Sequence, residues 1–311
     1  MDSLIKIEGK PIEKLIDVIA SAIGTLYEPR QTIRKANAQS KAESIIAIEQ
    51  AKTKAIIEGD TEKVQYLERI NERLVKKETK RQKNIEEVVS TAGKILEKEK
   101  DVSEEPVNQD WTTRFFDIVQ DVSDNEMQLL WGQILAGEIK QPKSYSLRTL
   151  ETLRNTTKDE AEIFQKVAQY VLMEGDAFIL SSMNVLEKFG VTYSDIAKLT
   201  EIGLMQPGNF VNLNYSSYES KDNAIGILYG NLVIIINQKA KAPPISIPII
   251  SLSTPGKELV NLISITPNVD YIKELALVIK NGKECTKVSY SKLISIKKDG
   301  SIEYDPSKIE L

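Results

Sequence analysis

Apolar residues recur every three or four positions along the N-terminal half of the chain, which is the spacing of one helix face. The first such stretch runs from Pro11 to Tyr27, where Pro11 suits the first helical turn and Pro29 disfavours helix at the residue before it. Small residues cover much of its remaining surface, so this helix needs more partners than an ordinary surface helix. We expect its apolar stripe to be buried between copies of the chain. The stripe comprises Ile12, Leu15, Ile16, Ile19, Ile23 and Leu26.

Residues 30–100 consist almost entirely of strong helix formers, with one interruption at Glu58-Gly59-Asp60. The pattern predicts a helix over 31–58 and a second over 61–98, with Thr61 as the N-cap. Apolar positions are thinly spread along the second helix, which is typical of a long antiparallel hairpin or coiled coil. We therefore predict an oligomerisation domain at 1–100, followed by a linker at 101–110.

A compact helical block is predicted next. Trp111 opens an amphipathic stretch, and Ser123 with Glu126 has the spacing of a capping box before a helix that runs to Ile139. Thr157 with Glu160 repeats that spacing and predicts a helix through Leu172. Trp131 falls on an apolar stripe, where a core position competes with a role as a recognition anchor.

The C-terminal third changes to strand-like stretches at 210–215, 224–228, 232–237 and 245–252, with short helices before and after them. The order of helices and strands is compatible with a winged-helix-like module. We assign the helical block and this module to 111–265, and a small α/β extension to 266–311. The predicted fold class is α+β, mostly α in the N-terminal half.

Composition excludes several kinds of site. The 311 residues contain one cysteine, Cys285, and no histidine, which removes Ser-His and Cys-His nucleophiles and the histidine-based zinc and iron sites. A net charge of -4 argues against a dedicated nucleic-acid binder. No apolar run reaches the length of about 20 residues that a transmembrane helix needs, and the N-terminus lacks the layout of a signal peptide. We expect a cytoplasmic protein without cofactor or metal, and without enzymatic activity.

Four basic side chains near one predicted helix start suggest an anion-binding or partner surface, with a solvated face as the alternative. They are Lys140, Lys143, Arg148 and Arg154. No glycine-rich phosphate loop supports the anion-binding interpretation.

Three further groups have both a functional and a structural interpretation. A basic run over 76–83 could contact nucleic acid or anionic lipid, or form a solvated helix face. Carboxylates at Asp117, Asp121, Asp124 and Glu126 could hold magnesium, or serve helix caps. A predicted helix at 194–204 has the place of a DNA-recognition helix but lacks Arg, Asn and Gln.

The stretch from Asn125 to Leu150, NEMQLLWGQILAGEIKQPKSYSLRTL, resembles the bacterial family catalogued as domain of unknown function 2806. The segment GTLYEP at 24–29 also resembles that family, and the likeness extends over 10–265. The resemblance implies a bacterial, cytosolic protein, with an association to phage-defence genes, and it brings no catalytic residues.

The leading hypothesis is a non-enzymatic, self-assembling interaction or regulatory protein of bacteria, with a role in phage defence. Its partners would be copies of itself and another protein. The alternative is a membrane-permeabilising effector that inserts residues 12–27 on activation. A DNA-associated regulator ranks below both.

Overall fold

The computed structural model describes residues 9–23, 34–207, 211–280, 286–297 and 299–311, without the side chains of residues 23 and 34–45. The chain is mixed α+β and divides into two compact units, Met1–Leu150 and Glu151–Leu311. The first unit is helical as far as it is described. Its helices are α1 (Lys10–Ile23), α2 (Arg34–Ile57), α3 (Thr61–Leu96), α4 (Gln109–Val119), α5 (Asn125–Lys140) and α6 (Leu147–Arg154), the last of which continues into the second unit.

Aspartates, not the predicted hydroxyl residues, cap two of these helices. The Asp60 side chain accepts the Lys63 amide at the start of α3, where Thr61 was expected as the cap. Asp124 accepts the amides of Glu126 and Met127 at the start of α5. The capping box predicted from Ser123 is therefore wrong, because the neighbouring carboxylate satisfies these amide donors.

The helix pair α2–α3 forms the predicted long helical hairpin. The turn at Gly59, with φ of +72°, reverses the chain, and the Lys52 ammonium lies 2.9 Å from the Glu68 carboxylate across the pair. A coiled coil is not confirmed.

Helix α1 packs within its own unit, against α3, α4 and α5. Ile12, Leu15 and Ile19 are each at most 5% exposed there, and burial of each such side chain contributes about 1.5–3 kcal/mol. This corrects the physical basis of the predicted assembly through α1, because its apolar stripe already has intramolecular partners. Ile16 is half-buried, and Ile23 and Leu26 lie outside the described side chains.

The first compact unit extends past the predicted linker at 101–110. Residues 84–96 of α3 pack on α5, so the predicted oligomerisation domain and helical block share one core. Trp111 stacks on Phe115 at 5.0 Å, and Phe115 meets Trp131 edge-on at 5.5 Å. Trp131 is fully buried, which confirms the core interpretation of this residue.

The second unit combines helices with an antiparallel sheet. Its elements are α7 (Lys158–Ala168), β1 (Leu172–Glu174), β2 (Asp176–Leu180), α8 (Met183–Leu186), α9 (Tyr193–Glu201), β3 (Val211–Tyr215), β4 (Asn223–Tyr229), β5 (Leu232–Gln238), β6 (Ile245–Ser251), α10 (Thr254–Val260), α11 (Val269–Lys280), β7 (Thr286–Ile296), β8 (Ile302–Tyr304) and β9 (Ile309–Glu310).

The strands form one sheet in the order β3-β6-β2-β1-β4-β5-β7-β8, with β9 on β7. The predicted winged-helix-like module is not confirmed, because β4 and β5 lie inside this larger sheet and not in a separate wing. The predicted extension 266–311 also joins the sheet, since β7 pairs with the whole length of β5. Both corrections concern which strands pair with each other. The alternation of apolar and polar residues along one strand does not specify its partner strands.

Helix α7 is shorter than predicted, and the hairpin β1–β2 follows it. Helix α7 begins with the predicted Thr157–Glu160 capping box but ends at Ala168, and not at Leu172. Gly175, with φ of +65°, forms the turn between the two strands, and β2 then pairs with β6. Glycine tolerates this left-handed conformation without steric cost.

The core of the second unit contains a cluster of aromatic side chains. Tyr271 is fully buried and meets Tyr170 at 5.1 Å and Phe189 at 5.5 Å. Its hydroxyl donates to the Tyr170 carbonyl at 3.2 Å and accepts from the Leu180 amide at 3.4 Å. Burial raises the pKa of this phenol well above its usual range, so it acts as a neutral structural bridge.

Candidate interaction surface

Among the described residues, the part of the helical hairpin next to its turn is covered by its own two helices. We call the segment 46–83 the arm. Every buried residue of α3 lies between Asn84 and Leu96, and none lies between residues 61 and 83. At 1.5 Å per residue, the uncovered part of α3 is about 35 Å long. The described side chains of α2 contact α3 along part of this length, and most residues of the arm are exposed.

Helix α2 carries uncharged residues on two opposite sides. Its inner side faces α3 with Ile48, Ala51 and Ala55, of which Ala55 is fully buried. At 3.6 residues per turn, a second stripe lies about 180° away from these residues. We call this set the outer stripe: Ile46, Gln50, Thr53 and Ile57.

The outer stripe faces solvent. Ile46 is 52% exposed and Ile57 is 81% exposed, and both Gln50 and Thr53 between them are exposed. The positions follow steps of four, three and four residues, which place them in one row along a helix. No charged residue interrupts the row. Sequence reasoning missed this stripe, although its spacing was present in a segment identified only as a helix former.

A polar position interrupts the contact between α2 and α3. Asn71 donates from Nδ2 to the Glu49 carboxylate at 3.4 Å. Its Oδ1 atom is buried and has no hydrogen-bond partner among the described residues. A buried acceptor without a donor costs stability, so this part of the arm is held less firmly than an apolar contact would hold it.

The base of the arm is fixed by one bidentate ion pair. The Arg81 guanidinium donates from Nε to Asp121 Oδ1 at 2.8 Å and from the terminal nitrogen to Oδ2 at 3.0 Å. This contact raises the pKa of Arg81, so Arg81 stays charged at every working pH. Arg81 of the predicted basic run is thus engaged in an ion pair within the fold. The other basic residues of the run are exposed on the arm: Lys76, Lys77, Lys80 and Lys83.

The four residues of the predicted anion surface differ in their partners. The Lys140 ammonium lies 2.7 Å from Glu99, and that of Lys143 lies 2.5 Å from Glu105. Arg148 is exposed in the first unit. Arg154 belongs to the second unit and lies 3.6 Å from Glu151. Acidic partners thus offset three of the four charges.

A family model described as a protein of unknown function, DUF2806, matches residues 68–276, which is more than half of the chain. The chain belongs to the DUF2806 family. The resemblance read from the sequence is thereby confirmed. No curated protein and no solved structure gives a significant match.

The DUF2806 match begins inside the arm and ends inside α11. It therefore includes residues 68–83 of the arm, while α2 and the hairpin turn precede it. The matched region contains α5, in which Gly132 approaches Thr91 so closely that an added Cβ would lie 2.5 Å from the Thr91 side chain. Close packing of α3 on α5 thus belongs to the DUF2806 part of the chain.

Two of the four carboxylates proposed for magnesium have structural partners in this DUF2806 protein. Asp121 binds Arg81, and Asp124 caps α5. Among the residues that the structure describes, no three acidic or thiol side chains are grouped as a metal site. The Asp195 carboxylate of α9 likewise accepts a hydrogen bond from the Lys166 ammonium at 2.7 Å and takes part in the capping box of its own helix.

Open depressions lie in both units of this DUF2806 protein. In the first unit, a groove of 770 Å³ lies between α1 and residues 102–109. The Lys14 ammonium crosses it and donates to the carbonyls of Ser103 and Glu105 at 2.7 Å each, and burial lowers the pKa of this lysine. In the second unit, a depression of 470 Å³ is bordered by the Lys257–Asp176 ion pair at 2.6 Å.

Both depressions are formed by side chains already engaged with the fold. Lys14 fixes the segment 102–109 to α1, and Lys257 fixes α10 to the start of β2. The arm differs from them, because its outer stripe has no such role in the described structure. Over the described residues, no helix is both long and apolar enough to cross a membrane.

Proposed function

We propose that this chain is a non-enzymatic interaction protein that assembles with copies of itself through the arm. The carrying observation is the outer stripe of α2, an uncharged row with an exposed isoleucine at each end, on a helix that already uses its opposite side against α3. Surface helices of a globular unit normally have one apolar side. A second side without charges, which exposes two isoleucines, favours a place for α2 inside a larger bundle.

Because α1 is buried in the first unit, we place the assembly surface on the arm and not on α1. Exposing Ile12, Leu15 and Ile19 would remove side chains that are almost fully buried in the core of the first unit. Exposing the outer stripe costs nothing, since it is exposed already. A role in phage defence stays a prediction from the family resemblance.

The proposal is tested by the mass of the full chain in solution, measured by light scattering from about 1 µM to about 200 µM protein. We expect the mean mass to rise with concentration for the wild type. The double variant Ile46→Glu with Ile57→Glu should stay a monomer, because glutamate keeps the helix but places charge on the stripe.

Leu129→Glu is the matched control, since Leu129 is a leucine of the first unit that is 53% exposed on α5. This control should assemble like the wild type. A wild-type chain that stays monomeric over the whole range contradicts the proposal. Far-ultraviolet circular dichroism of each variant shows that its helices are retained.

A further inference from the structure

The outer stripe is symmetric about its own midpoint. Ile46 and Ile57 are equally distant from the point between residues 51 and 52, and so are Gln50 and Thr53. Two antiparallel copies of α2 related by a two-fold axis at this point would therefore set isoleucine on isoleucine. The amide of Gln50 would meet the hydroxyl of Thr53. A surface that is complementary to itself suits an isologous dimer.

Charge distinguishes the antiparallel arrangement from the parallel one. The turn of the hairpin, residues 58–63, contains three acidic residues and one lysine. Antiparallel copies keep the two acidic turns at opposite ends of the pair. Parallel copies would place the two acidic turns side by side, which costs energy.

From the self-complementary stripe and these charges, we infer that two copies of the chain join through α2 as an antiparallel pair centred between residues 51 and 52. This inference rests on the proposed function and adds its geometry. The resulting layer is α3–α2–α2–α3, in which both sides of α2 are covered. The lysines of α3 remain on the outside of that layer.

Because the contact between the two copies of α2 is short, it limits the affinity of the dimer. The twelve residues from Ile46 to Ile57 span about 18 Å of helix. One helix face of this length buries less area than a standard interface, which buries about 800 Å² per partner. We expect a dissociation constant in the micromolar range.

Disulfide trapping tests the geometry in the full chain. Cys285→Ser first removes the only cysteine of the sequence. Two chains are then made on that background, Ile46→Cys and Ile57→Cys, one of them carrying a size tag. In the antiparallel pair the two new cysteines face each other across the interface, so an equal mixture should oxidise mainly to the mixed dimer. A second pair, Gln50→Cys with Thr53→Cys, spares both isoleucines and should also form the mixed product.

Each outcome has one meaning. Mixed dimers in both pairs, lost when Ile57→Glu is added to the chain that carries Ile46→Cys, support the inference. Homodimers of Ile46→Cys in preference to mixed dimers would show parallel copies and overturn it. A protein that is dimeric by mass but forms neither product would overturn the inference and leave the proposed function standing. A protein that is monomeric at every concentration would end both.

Discussion

The two stretches of α3 have the same backbone and opposite surroundings. From Asn84 to Leu96 the helix buries seven residues, among them Ile85 and Val88, against its unit. From Thr61 to residue 83 it buries none. Helix propensity, the Asp60 cap and ion pairs across the hairpin support the second stretch, whereas packing supports the first. The comparison shows that one helix can serve as core at one end and as accessible surface at the other.

The largest effect expected from this comparison concerns two leucines of α3. Leu96 is 1% exposed, whereas Leu74 is half-buried between the arm helices. Leu96→Ala should lower the free energy of unfolding by about 2–5 kcal/mol, and Leu74→Ala by roughly 1 kcal/mol or less, because only the first leaves a cavity in the core. Urea unfolding followed by circular dichroism measures both. Equal losses would show that the arm is packed as firmly as the core.

Two asparagines give the next contrast. Asn84 is 5% exposed and donates to the Gln120 carbonyl at 2.8 Å, while its own Oδ1 accepts from Gln128 at 3.2 Å. Asn84→Ala should cost about 1–3 kcal/mol of unfolding free energy, since both partners lose a hydrogen bond in a buried place. Thermal melting with Asn71→Ala as the matched control measures it. A loss in the control as large as in Asn84→Ala would argue against the contrast.

Replacing the arm asparagine by leucine should reverse the sign. Asn71→Leu removes an acceptor that has no described partner and continues the row of Leu67 and Leu74. We expect the arm to gain about 0.5–1 kcal/mol of stability. Amide hydrogen exchange over residues 61–83 reports this gain, and residues 84–96 serve as the internal reference. Faster exchange in the arm of this variant would contradict the assignment of Asn71 as a weak point.

The smallest effect is expected for the Arg81–Asp121 ion pair, which lies where the two stretches of α3 meet. Asp121 is 61% exposed in its pair with Arg81, so solvent screens much of the attraction. Arg81→Gln should cost ~1 kcal/mol or less, and the difference from wild type should shrink as salt is added. Lys77→Gln, on the exposed part of the same helix, is the control and should change nothing measurable. A salt-independent loss would indicate that Arg81 contributes packing as well as charge.

Local patterns in the sequence predicted the helices well and their partners poorly. The helix predicted over 61–98 is observed at Thr61–Leu96, and the one over 125–139 at Asn125–Lys140, because periodicity and caps are local signals. The partner of α1 was misplaced, since an apolar stripe requires burial without specifying against what. The strand β2 was missed because a short apolar run fits a helix as well as a strand. Gly175 was the available sign of a turn.

The candidate surface was only partly predictable for a related reason. The hairpin and its thin apolar row were readable, and the absence of histidine from the sequence excludes histidine-dependent nucleophiles and zinc sites. The outer stripe became visible only when the structure showed which side of α2 faces α3. Until then, apolar residues on both sides of the helix cancel in any measure of amphipathicity.

Among the described residues, the distal part of α3 contacts mainly α2. The length of the arm can therefore change without changing the core of the first unit. Adding or removing seven residues in each of its two helices would keep their facing rows aligned and change the reach by about 10 Å. Gly59 has no atom within 4 Å of the position where a Cβ would stand, so the turn is open to such change. Relatives of this chain could thereby vary the distance that an assembly spans while leaving its folded core untouched.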